Sequence, residues 1–125
     1  MQLLEEDERY LTERCYQFDL IAEGEVGCLI IKDFPLASGK YDRDIVDLLI
    51  CIPKGYNTAK LDNFYIDPPI RLKVGGAYPH RGDYFESHIQ RKWQRLSRHM
   101  SVWRPGIDGL RTFMPFIYHE LQNKD

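Results

Sequence analysis

Cysteine is scarce in this chain, and its few positions suit none of the usual cysteine chemistries. Cys15, Cys28 and Cys51 are odd in number, far apart and form no CxxC pair. That spacing argues against a disulfide framework and a cysteine-rich zinc site, and it fits a reducing, cytoplasmic setting. Missing too is any apolar run near the roughly 18 residues of a membrane-spanning helix. The opening MQLLEEDERYLTER lacks the basic-then-apolar order of a secretory leader. No charge of one sign dominates, since the net charge is −2, so the surface as a whole is no nucleic-acid footprint. Repeats and low-complexity linkers are absent as well.

What is present is enough for one packed domain spanning residues 1–125. Hydrophobic residues make up 43% and charged residues 29% of the 125 positions, a globular rather than a disordered composition. Charge is distributed unevenly. Residues 1–62 hold 13 acids and 7 bases, for −6, whereas residues 63–125 hold 6 acids and 10 bases, for +4. Such a dipole suits docking of an acidic partner on the C-terminal half, although a plain solvated basic face reads the same way.

Periodicity predicts a helix over residues 3–15, then strands over 16–23, 26–34, 45–52 and 63–66, with residues 70–74 lying between the Asp67-Pro68-Pro69 and Gly75-Gly76 breaks. The run IVDLLICI at 45–52 is near-continuously apolar, as a strand buried on both faces should be. Over residues 84–100, Ile89, Trp93, Leu96 and Met100 recur at helical spacing, with Arg91, Arg95 and Arg98 opposite them. A last helix is expected over 108–122, with Asp108 as N-cap and a kink or late start at Pro115. The order implies an α+β fold with an antiparallel sheet.

Three segments together resemble the ubiquitin-conjugating enzyme superfamily. Phe34-Pro35-Leu36, the strand VDLLICIP and Lys54-Gly55-Tyr56 look like the strand leading into a YP-type loop, here GYNTAKLDNFYIDPP. Tyr78-Pro79-His80 sits where the family keeps its His-Pro-Asn turn. Trp103-Arg104-Pro105, followed by GLRTFMPFIYHEL, resembles the family's Trp-Ser/Thr-Pro segment and the helix after it. The likeness is closest to a prokaryotic branch whose members accompany ubiquitin-like proteins and an activating enzyme. It implies an N-terminal helix, a three- to four-stranded antiparallel sheet and C-terminal helices. Its implied partners are a ubiquitin-like protein, an activating enzyme and target proteins, with no cofactor, nucleic acid or membrane.

The chain departs from that pattern where the chemistry should be. The family carries its cargo on a cysteine just upstream of the tryptophan, yet no cysteine lies between His80 and Trp103. The asparagine of His-Pro-Asn is also missing. Ser97, six residues ahead of Trp103, lies near the family's nucleophile position, and a hydroxyl there needs a neighbouring base. His80 is one candidate. His99 is another, provided that the helix ends before Ser97, because i and i+2 diverge on a helix. Arg95 and Arg98 are candidates for stabilising developing negative charge or an acidic partner, and Trp103 for binding.

Other signals carry less. His80, Asp83 and His88 match no metal-ligand spacing, Gly75-Gly76 lacks the lysine of a phosphate cradle, and His119-Glu120 lacks a second histidine. Three functions follow: a carrier that uses Ser97, an inactive adaptor of the same fold, or a nucleic-acid module built on the basic face.

Overall fold

The computed structural model describes residues 2–123. Its elements are α1 (Glu5–Glu13), β1 (Phe18–Glu23), β2 (Val26–Pro35), β3 (Ile45–Ile52), β4 (Phe64–Asp67), β5 (Tyr84–His88), β6 (Arg91–Leu96) and α2 (Leu110–Asn123). The strands form one antiparallel sheet of six in the order β1-β2-β3-β4-β6-β5. The α+β class is as expected; the strand count is not.

The extra strands come from residues 84–100, where a hairpin replaces the expected helix. Ile89 and Gln90, at φ 50° and 60°, make its two-residue turn. Trp93 and Leu96, which a helix would stack on one stripe, lie on opposite faces of the sheet and join different apolar clusters. Successive side chains on a strand alternate, and the aromatic pairing partners of this segment favour that geometry. Residues 70–74 lie in a loop tied by one bridge, Leu72 to Tyr41. One C-terminal helix stands among the described residues, and it runs continuously through Pro115.

Both faces of the central strands are covered, which explains their unbroken apolar runs. Leu29 and Ile31 of β2, with Leu48 and Ile50 of β3, face α1 and α2 in the larger cluster. α2 contributes Leu110, Phe113, Met114, Ile117 and Leu121 at helical period. The second cluster holds Cys28, Ile30, Leu49, Tyr65 and Trp93, with Ile89 and Cys51 at its margin. No helical residue among those described belongs to it. A layer of ion pairs covers it instead: Arg91 binds Asp47 and Asp67 at 2.7 and 2.6 Å and lies over the Trp93 ring.

β1 and β5 are opposite edges of the sheet, yet they meet across this second cluster. His88 Nδ1 is 2.8 Å from Glu23, and its Nε2 is 3.0 Å from Glu86. The Ile89 N–H donates to Glu23 as well, at 2.7 Å. The sheet therefore curls far beyond an ordinary twist, and His88 latches it.

The ends of α2 are anchored by side chains distant in sequence. Tyr56 donates its hydroxyl proton to Asp7 at 2.7 Å and accepts the Leu110 N–H at 2.9 Å. Asp7 is buried beside the same helix start, which places an anion at the positive end of the dipole. The expected cap, Asp108, does something else: its carboxylate accepts from Arg104, and these bonds hold it down to about 2. At the other end Lys40 and Tyr41 donate to the Leu121 carbonyl at 3.0 and 2.7 Å. Gly109 allows the close approach at the helix start, since a Cβ there would lie 2.9 Å from the Tyr56 hydroxyl.

Two outcomes follow from these anchors. Gly109→Ala should lower stability by about 1–3 kcal/mol in urea unfolding, and the loss should shrink in a Tyr56→Phe background. The second outcome concerns pH. Burial disfavours the His88 cation, but the hydrogen bonds and charges of Glu23 and Glu86 outweigh it and raise the pKa above the ordinary 6.5. The latch is thus at full strength below the unfolded value and is lost as pH rises through the folded one. Wild type should lose stability relative to His88→Gln as pH rises above the ordinary histidine value of 6.5; parallel curves would refute the latch.

Candidate functional site

The site begins where β6 ends. Leu96 is the last strand residue, and the Arg98 N–H donates back to the Leu96 carbonyl at 2.8 Å, making a three-residue turn centred on Ser97. The Ser97 N–H donates across to the Arg81 carbonyl at 3.0 Å. Helical divergence therefore does not separate Ser97 from His99. Both line one pocket of about 600 Å³.

Four pieces of chain make its walls. Asp62 and Asn63 come from the approach to β4, His80 and Arg81 from the loop before β5, and Ser97, Arg98, His99 and Ser101 from the segment after β6. Phe116 and Glu120 of α2 complete it. The structure thus brings Ser97, His80 and His99 together. His99 Nδ1 stands 3.4 Å from Asp62 Oδ1.

Two buried polar side chains hold the wall that carries His80. Gln94 accepts the Ile70 N–H at 2.7 Å and donates to the carbonyls of Ile70 and Gly82 at 3.1 and 2.7 Å. Arg98, only 4% exposed, donates to the His80 carbonyl through Nε and Nη2 at 3.0 and 2.7 Å. Its Nη1 reaches the Glu120 carbonyl of α2 at 2.9 Å. Arg98 consequently ties the His80 loop to α2. That is a different use of the guanidinium from the charge stabilisation expected of it.

Arg95 and Trp103 lie outside the pocket. Arg95 is on the opposite face of the sheet, paired with Glu86 and stacked over Tyr84 at 4.2 Å. One position along a strand is enough to reverse a side chain's direction. Trp103 donates its indole N–H to the Asn57 carbonyl at 3.0 Å and packs at a tilt against Tyr56. Its place is in the support of the segment leading to α2.

The cysteines are equally remote. Cys28 and Cys51 face each other across β2 and β3, on the sheet face turned away from α1 and α2. Burial raises both thiols, Cys51 to about 12, so neither offers a thiolate near neutrality. Cys15 is exposed just beyond α1 at φ 61°. None of the three lines the pocket.

Gln94 and Asp62 were not found by reading the sequence. Gln94 is recognisable only once residues 91–96 are read as a strand, where it falls on the core-facing side with Leu96. Asp62 lies in a loop, and nothing in its neighbours signals a distant histidine.

A curled sheet backed by helices from both ends of the chain, with a pocket just ahead of the Trp103 segment, makes a small α+β domain. The sequence model described as Prokaryotic E2 family E matches residues 3–124, and the chain belongs to that family. No curated protein and no solved structure matches it. Membership implies a conjugating-enzyme-like role, and dealings in general with a ubiquitin-like protein and its activating enzyme. No helix among the described residues is long and apolar enough to cross a membrane.

Gln94→Leu should cost at least about 1–3 kcal/mol, because it strands the Ile70 N–H and two carbonyls. Hydrogen exchange in residues 70–82 should rise in that variant, while exchange in β2 and β3 stays close to wild type.

Proposed function

We propose that the protein carries a bacterial ubiquitin-like protein, taking it from an activating enzyme onto Ser97 as an oxyester and passing it to a target amine. The supporting observation is that Ser97 shares one pocket with His80 and His99, while every cysteine lies elsewhere. In the loading step the Ser97 oxygen attacks the thioester carbonyl on the activating enzyme. The C–O bond forms, the C–S bond breaks, and the hydroxyl proton passes through an imidazole to the departing thiolate. In the discharge step a target amine attacks the ester. The C–N bond forms, the C–O bond breaks, and a proton from the amine passes through the imidazole to the serine oxygen. His80 or His99 is the base, and Arg98 serves by fixing the His80 loop.

A second reading keeps the family's partners and drops the chemistry. The protein is then an adaptor that binds the ubiquitin-like protein or the activating enzyme, and the absence of a cysteine in the pocket favours it.

Intact mass after incubation with ATP, the activating enzyme and the ubiquitin-like protein separates the two. The carrier gives an adduct that survives thiol reductant, yields to hydroxylamine, persists without the three cysteines and is absent from Ser97→Ala. An adduct lost with the cysteines would move the nucleophile. No adduct beside a charged activating enzyme would leave the adaptor.

A further inference from the structure

His99 differs from an ordinary exposed histidine in having a carboxylate at one particular nitrogen. Asp62 comes from the loop ahead of β4, distant in the chain, and its Oδ1 stands 3.4 Å from Nδ1. A histidine acts as a base through whichever nitrogen lacks the proton, and the partner of the other nitrogen decides which that is. An ionised carboxylate only accepts, so a nitrogen facing it carries hydrogen.

We propose that Asp62 is a positioning residue for His99: it accepts the Nδ1–H and fixes the tautomer whose Nε2 lone pair serves the Ser97 hydroxyl. The inference rests on the reading of Ser97 as acceptor. It assigns the base to His99 rather than His80. In this structure the two atoms stand at ion-pair distance rather than in an aligned hydrogen bond, as catalytic contacts often do before substrate arrives. Both side chains are 56% exposed, so water screens the pair until an acyl donor covers the pocket. Displacing that water strengthens the contact at the stage when the proton must move.

Two measurements on the intact protein test this. Long-range proton–nitrogen NMR of the imidazoles, made where the rings are neutral, reports which nitrogen holds the proton. Wild type should show His99 mainly as the Nδ1–H form. Asp62→Asn should shift it toward the Nε2–H form, and Asp62→Glu should restore it. The second measurement uses an alkyl fluorophosphonate, followed by intact mass. The Ser97 oxygen bonds to phosphorus as fluoride leaves, and the proton goes to Nε2. Asp62→Asn should slow this labelling by about tenfold or more, with recovery in Asp62→Glu and no labelling in Ser97→Ala.

A wild-type His99 that is mostly Nε2–H, or a tautomer indifferent to Asp62→Asn, would overturn the inference even if Ser97 forms an oxyester. Equal labelling of wild type and Asp62→Asn would overturn it too. If Ser97 resists both the probe and the ubiquitin-like protein while the tautomer still follows Asp62, the oxyester reading falls and the hold of Asp62 on His99 stands.

Discussion

The loop between β4 and β5 lies against the end of the sheet, and its backbone can rest there only if its polar groups find partners. Buried N–H and carbonyl groups left without one cost more than most side-chain contacts return. Gln94 and Arg98 meet that demand from one short stretch of chain. Gln94 closes a two-way amide pair with Ile70 and also reaches Gly82. Arg98 takes the His80 carbonyl and then bridges to α2. The position of His80, the width of the pocket and the seating of α2 all follow from those bonds.

The same rule governs the other buried polar groups. Asp7 and Tyr56 satisfy the first donor of α2, while Lys40, Tyr41 and Arg98 take carbonyls at its far end. Each joins segments far apart in sequence, so polar burial here sets the relation of loops to helix more than it adds to the core. The apolar clusters supply the driving force. They are tolerant of small displacements, whereas a hydrogen-bonded amide is not, and the division of labour follows from that difference.

The parts of the fold legible in the sequence were those with one dominant period. The central strands, buried on both faces, were evident as apolar runs, and α1 and α2 appeared within two residues of their ends. Residues 84–100 misled because Ile89, Trp93, Leu96 and Met100 satisfy a helical stripe by accident of a twisted hairpin. Mixed aromatic and charged alternation in Tyr84-Phe85-Glu86 and Arg91-Lys92-Trp93 carried the strand signal, and the helical spacing outweighed it. Ser97, His80 and His99 were nameable from their places relative to Trp103 and the proline turn. What could not be read was which arginines join them, since Arg95 and Arg98 differ by a change of face and a turn. Those are tertiary facts with no local signature.

The sheet's curl has a bearing on how the molecule behaves among its own copies. Any open sheet ends in two rows of unpaired backbone groups, which invite a strand from a neighbour. Here those borders are β1, six residues long and bearing Asp19 and Glu23, and β5, five residues long and bearing Glu86. Glu23 and His88 bend the two borders toward one another, away from the flat, extended edge that stacking requires. Short, acidic and curved, they make poor templates for runaway assembly. The richest strand-forming segments, β2 and β3, are thereby kept sealed in the middle.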